Sequence, residues 1–266
     1  GGKPKDLKVI LKNGNEILPT IVTKFPKKDS VQVWYKPIKA DSLNLAVTKE
    51  KYSANFNFKI KVQKKDTLSF NPKQKGILPL GEKFILNASR PVVKFDNSKM
   101  KITNKDSISV PFTTEYDEFN QQLKFDFQKE PLQKYKFTLL PGAMTDYLEK
   151  SNDTLSYKLT TKNTSDYGNL HVNLKNVRQF PIIVELTDAK GEVIATEYSE
   201  ANTTIDFNFL DPASYLLRLI YDENKNKEWD SGNYLEKRQT EEVIYFPGKL
   251  NTHANFDEEE TFDLGK

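Results

Sequence analysis

The stretch Leu123-Lys124-Phe125-Asp126-Phe127, followed after a short break by Tyr135-Lys136-Phe137-Thr138-Leu139, decides the fold. Leu123, Phe125 and Phe127 alternate with Lys124 and Asp126, and Tyr135, Phe137 and Leu139 repeat the pattern. A two-residue period turns every apolar side chain to one face of an extended chain and every polar one to the other. Two such segments so close together predict paired, half-buried strands.

The same period recurs outward in both directions. On the N-terminal side it runs through Leu43, Leu45 and Val47, then Phe56, Phe58, Ile60 and Val62. On the C-terminal side it runs through Leu155, Tyr157 and Leu159, then Leu170, Val172 and Leu174, then Ile205, Phe207 and Phe209. Asn13-Gly14, Pro141-Gly142, Lys190-Gly191 and Pro247-Gly248 fall between the runs and read as turns. No segment carries a 3.6-residue apolar stripe longer than two turns. The prediction is an all-β protein of tandem immunoglobulin-like β-sandwich domains. Breaks in the pattern divide the 266 residues into 1–70, a sandwich small enough to be either the remainder of an N-terminally truncated domain or a unit that leans on the next; 71–164, a second sandwich; and 165–266, a third.

Composition narrows the function. With no cysteine, disulfides and zinc–thiolate sites are excluded, which points away from a secreted eukaryotic Ig-like domain and toward a bacterial protein or a cytosolic one. Forty basic and 37 acidic residues give a net charge of +3, which over three domains implies little long-range field and no nucleic-acid partner. No apolar run is long enough to span a bilayer. The opening Gly1-Gly2 reads as a trimmed start, so an export signal or a lipid-anchor cysteine is expected to precede this numbering.

Residues 71–164 resemble the bacterial Ig-like domain of surface-layer and envelope proteins. The resemblance runs through Leu80-Gly81-Glu82-Lys83-Phe84-Ile85-Leu86, Arg90-Pro91-Val92, Val110-Pro111-Phe112, the Leu123–Phe127 strand, Pro131-Leu132-Gln133-Lys134-Tyr135, an Asp146 turn and Thr154–Thr161. Residues 165–266 resemble the carboxypeptidase-regulatory or prealbumin-like sandwich, with strands at Gly168–Leu174, Ile182–Asp188 and Tyr215–Tyr221. Asp222 to Asn226, Trp229-Asp230, Lys237-Arg238-Gln239 and Tyr245-Phe246-Pro247 stand in the order seen in Ig-like lipoproteins of Bacteroidetes. The resemblance implies an outer-membrane lipoprotein, tethered only through an N-terminal lipid, with envelope proteins or a surface glycan as partner. Asp-Ser/Thr-apolar triplets at Asp29, Asp41, Asp66, Asp106 and Asp153 are similar to the O-glycosylation sequon of exported Bacteroidetes proteins. A turn residue leading into a strand satisfies the same triplet.

The sharpest local motif is Asp222-x-Asn224-x-Asn226-x-Glu228-x-Asp230. Oxygen-bearing side chains at alternate positions can turn together around a hard cation, so Ca2+ is the one cofactor expected. The loop departs from the EF-hand at its sixth position, Lys227, and its twelfth, Asn233; Glu236 is a more distant candidate ligand. A solvated hairpin loop fits the same residues.

No catalytic residue is expected. His171 and His253, the two histidines, have no nucleophile nearby in sequence, and His171 should face solvent. Nothing resembles Gly-x-Ser-x-Gly or a phosphate-cradling loop. Glu241-Glu242 and Glu258-Glu259-Glu260 read as solvated ends, and Trp34, Tyr35 and Trp229 read first as packing residues. The expectation is therefore a non-catalytic, extracytoplasmic structural or interaction module. The alternative is a carbohydrate-binding module, which requires those aromatic rings to be exposed.

Overall fold

The computed structural model describes residues 6–25, 30–49, 52–60, 67–232 and 237–265. The chain is all-β: among the described residues strand follows strand, interrupted by single 3-10 turns at Asn97–Lys99 and Thr164–Asp166. It divides into two compact units, 1–78 with 82–161, and 79–81 with 162–266.

The first unit holds two separate apolar clusters. The larger fills a sandwich. One layer has the strand order Thr113–Asp117, Gln122–Asp126, Phe84–Ala88, Phe70–Pro72. The facing layer has the order Ser109–Val110, Met100–Thr103, Lys134–Leu139, Leu155–Thr160, Gly76–Ile77. The side chains that the period-two pattern assigns inward meet between the layers. Phe84, Leu123 and Phe125 from one pack against Ile102, Tyr135, Phe137 and Leu159 from the other. Ring centroids of Phe84 and Phe137 lie 4.2 Å apart, tilted as aromatic quadrupoles favour. Phe70, at the expected boundary after residue 70, is already part of this core, and its strand pairs with Phe84–Ala88.

One polar pair is sealed into the sandwich. Arg90 donates to Asp146 at 3.1 Å, with the two side chains 9% and 0% exposed. Asp146 Oδ1 also accepts the backbone N–H groups of Leu148 and Lys150. A charge this deep is tolerated because it is both paired and hydrogen-bonded.

The smaller cluster belongs to a four-stranded sheet in the order Glu16–Leu18, Lys8–Asn13, Ser42–Lys49, Tyr52–Lys59. Leu11, Leu18 and Leu43 are its buried residues, with Tyr35, Ile38, Leu45 and Phe58 partly buried around them. A separate hairpin, Thr20–Lys24 with Val31–Tyr35, ties this part to the sandwich. Lys24 N–H donates to Phe119 C=O at 2.8 Å. The buried hydroxyl of Thr23 accepts from both Trp34 Nε1 and Gln121 Nε2. Trp34 meets Tyr147 edge to face, and Lys36 reaches Glu149 at 2.8 Å. Trp34 is half-buried, in keeping with the packing role expected of it. Val62 lies outside the described residues.

The second unit is another two-layer arrangement. One layer is Thr204–Leu210, Gly168–Lys175, Asp257–Asp263. The other is Val193–Ser199, Ile182–Thr187, Ser214–Tyr221, Val243–Tyr245, with Leu250–Asn251 also on Ser214–Tyr221. Leu170, Val172, Leu186, Phe207, Leu219 and Phe262 are among the residues that fill the space between them. The last strand runs parallel to the first, Asn169 opposite Asp257 through Lys175 opposite Asp263. Gly168 permits the approach, since a Cβ there would lie 2.5 Å from the His253 carbonyl oxygen.

One expected alternation fails. Ile205 and Phe207 face the core, but Phe209 is 39% exposed and Leu210 takes the inward place. The backbone of Phe209 lies in the left-handed region, φ 56°, and the pairing slips by one residue between Gly168 and Leu170. That bulge inserts one residue and reverses the facing of the residues beyond it.

Candidate functional site

The strand Ser214–Tyr221 delivers Asp222 to the start of a loop, where the carboxylate is buried at 1% exposure. Its Oδ1 accepts Asn226 N–H at 3.0 Å and its Oδ2 accepts Lys227 N–H at 2.9 Å. Asn224 Oδ1 accepts Asn226 N–H, and Asn226 Oδ1 accepts Glu228 N–H at 2.8 Å. Lys225 and Lys227 have φ of 60° and 65°. A left-handed residue at every second position coils the chain so that 222, 224 and 226 turn the same way. Asn224 Nδ2 and Asn226 Nδ2 both donate to Asp230 Oδ2, each at 2.5 Å.

Four of the five residues expected to bind a cation are thus brought together: Asp222, Asn224, Asn226 and Asp230. Glu228 enters the ring through its backbone N–H. Asn233 and Glu236 lie outside the described residues. The donor set is all oxygen, with two carboxylates and two amides, which is the chemistry a hard cation takes. Each of these oxygens already accepts N–H groups, and a cation would use their remaining lone pairs. Among the described residues, no three acidic or histidine side chains are grouped to hold a metal ion.

A residue outside the motif completes the loop. Glu241, expected to be solvated, is only 6% exposed. Its Oε1 accepts Glu223 N–H at 3.0 Å and its Oε2 accepts Asp230 N–H at 2.9 Å, bracing both ends of the loop. Burial, and then the negative charges of Asp230 and Asp222, push its carboxyl above the usual carboxylate range. Nothing local separates Glu241 from its neighbour Glu242, which is exposed and pairs with Arg178. Only the return of the chain past the loop distinguishes them.

Trp229 corrects a second expectation. It is 50% exposed, held at one edge by Nε1 donating to Glu241 C=O at 3.3 Å. Other exposed rings among the described residues include Tyr52 and Phe56, which share the strand Tyr52–Lys59, and Tyr245 and Phe256, which lie apart from them in sequence. A shallow pocket in the sandwich of the first unit is lined by Phe95, Asp96, Asn97, Thr114, Tyr116 and Leu123. There Phe95 stacks 4.8 Å from Tyr116. Burial pushes the Tyr116 phenol up to about 12, and the Ser98 hydroxyl holds the Asp96 carboxyl below its ordinary value.

Both histidines lie on the surface. His171 Nδ1 is 2.6 Å from Asp206 on the neighbouring strand, and His253 Nδ1 is 2.8 Å from Glu258. Of the Asp-Ser/Thr triplets, Ser30, Ser42, Thr67, Ser107 and Thr154 are exposed; Asp29 and Asp66 lie outside the described residues.

No family model and no curated protein matches the chain. Several solved structures do at low similarity. Native α2-macroglobulin from Escherichia coli, spanning domains MG0-NIE-MG1, is 11% identical over 68% of this chain and 71% of its own, with a TM-score of 0.32. The major pilin subunit of Bacillus cereus, BcpA*(D312A), is 12% identical over 91% and 82%, TM-score 0.27. Domains 4–9 of the surface-layer protein SbsC are 9% identical over 97% and 40%, TM-score 0.25. At these values the likeness assigns the chain neither a fold family nor a function.

Proposed function

We propose that this chain is a non-catalytic extracytoplasmic module of a bacterial envelope lipoprotein, serving structure or protein interaction. One observation carries the reading. The residues by which residues 71–164 resemble the bacterial envelope domain are scaffold residues: Arg90 and Asp146 form the sealed ion pair, and Val92 and Tyr135 are buried in the core. Tyr135 also accepts Glu130 N–H through its hydroxyl at 2.8 Å. A pattern devoted to holding layers together suits a part whose task is to present a rigid surface. Fractionation of cells making the natural protein tests it: the chain should sediment with the outer membrane and be released by detergent. Recovery in the cytosolic fraction would overturn the reading.

A second reading concerns the loop. The convergence of Asp222, Asn224, Asn226 and Asp230 favours a Ca2+ staple that fixes the end of Ser214–Tyr221. Binding should raise the stability of this unit by about 2.7 kcal/mol at a hundredfold excess over Kd. Titration calorimetry with Ca2+ on the chain and on Asp230→Asn is the measurement. Heat with the first and a large loss of affinity in the second is expected; no heat with the unaltered chain ends the idea.

A further inference from the structure

The near-even charge of the whole chain conceals a strong division. Residues 1–66 hold fifteen lysines against six acidic residues, a net of +9. Residues 162–266 hold eleven basic against twenty acidic residues, a net of −9. Charge of one sign concentrated in one region acts over a Debye length whatever the total. Among the described residues of the basic segment, Lys36 is the lysine with an acidic partner within 4 Å.

Among the described residues, the basic segment also carries a sheet edge that no other strand covers. Tyr52–Lys59 is the last strand of its sheet, pairs with Ser42–Lys49 over all eight residues without a bulge, and has no proline. From Tyr52 to Phe58 it has no charge. Natural edges are normally shortened, bulged or charged to prevent pairing with other chains. One hydrogen bond fixes the direction of its backbone groups. Ile60 N–H donates to Asp41 C=O, on the side of Ser42–Lys49. Successive residues point their N–H to opposite sides, so Phe58, Phe56 and Ala54 follow Ile60 inward. Ser53, Asn55, Asn57 and Lys59 therefore offer N–H and C=O to the open side. Tyr52 and Phe56 beside them are about half exposed, at 56% and 49%.

The acidic unit ends in a complementary strand. Asp257–Asp263 (DEEETFD) is an edge of its sheet, seven residues long, with five acidic side chains; Glu259 and Glu260 are exposed.

We propose that copies of this chain associate head to tail, the acidic edge strand Asp257–Asp263 of one copy adding to the open edge Tyr52–Lys59 of the next. The edge itself is neutral from Tyr52 to Phe58, but the segment that carries it is strongly basic, which opposes pairing of two such segments and favours an acidic partner; a second copy supplies an acidic strand of matching length. The contact joins two different surfaces, so each copy keeps one of each free and the assembly can extend.

Sedimentation of the purified chain tests this in about 0.01 M and about 1 M salt, where charges are felt over ~30 Å and ~3 Å respectively. Concentration-dependent association is expected at low salt and should weaken at least about tenfold at high salt. Asn55→Pro removes an outward N–H while leaving the inward ladder intact, and Glu259→Lys with Glu260→Lys reverses the acidic strand; each variant alone should be monomeric. Mixed together they should form a single closed pair, since each retains the surface the other lacks. Combining Lys49→Glu and Lys59→Glu with the two lysine substitutions in one chain should restore association and covers the case in which proline harms folding. A monomer at both salt concentrations, or association unmoved by salt, overturns the proposal. So does Asn55→Pro abolishing association that the acidic-strand variant leaves intact, the signature of like-to-like edge pairing.

Discussion

The N-terminal sheet and the sandwich that follows it use the same alternating code to different effect. In residues 67–161 two sheets face each other and nearly every inward side chain disappears from solvent. In residues 6–60 the inward face of one sheet is only partly covered: Leu11, Leu18 and Leu43 are buried, while Val9, Leu45, Val47 and Phe58 are half-buried and Phe56 is exposed. Alternation therefore specifies which face is apolar, and a second layer decides whether that face becomes a core.

The largest expected effect is in the sandwich. Phe137→Ala should cost about 3–5 kcal/mol, because a fully buried ring among Phe84, Phe125 and Phe127 leaves a void no neighbour can close. Chemical denaturation should show the whole 67–161 transition moving. Arg90→Ala should cost about 3 kcal/mol by leaving Asp146 buried with only its backbone donors. If the loss were under about 1 kcal/mol, the sealed pair would be dispensable. Leu43→Ala should cost about 2 kcal/mol. Hydrogen exchange should accelerate in residues 6–60 first and leave Phe84 and Phe137 protected; uniform acceleration would erase the contrast between the two regions. Thr23→Val removes the acceptor of both Trp34 and Gln121 and should cost about 1–2 kcal/mol, read as loosening of the Trp34–Tyr147 contact by tryptophan fluorescence. Phe56→Ser should change stability by no more than about 0.5 kcal/mol, since the ring is half in water already.

The strands were legible because each depends on a local repeat. Leu170, Val172 and Leu174 point inward as their spacing requires, and so do Tyr135, Phe137 and Leu139. What was not legible depends on backbone handedness or on distant chain. Phe209 leaves the core through a left-handed residue that its sequence does not announce. Glu241 and Glu242 are chemically alike, yet one braces a loop about eleven residues upstream and the other meets Arg178 at the surface. The loop motif itself was readable at Asp222, Asn224, Asn226 and Asp230, because Asx side chains bond their own backbone and need no partner from elsewhere. The contact of Thr23 with Gln121 spans 98 residues and left no trace in either neighbourhood. The opposite charges of residues 1–66 and 162–266 nearly cancel in the net charge of the chain, so the total carries no sign of the division.

The parallel seam between Gly168–Lys175 and Asp257–Asp263 has a consequence for biosynthesis. The first strand of that unit waits for a neighbour made some 88 residues later. The seam cannot zip until residue 263 has left the ribosome, so this pairing forms slowly, as long-range pairing does. Until then Leu170 and Val172 lack the cover that Phe262 supplies, and a chaperone has a defined interval in which to hold them.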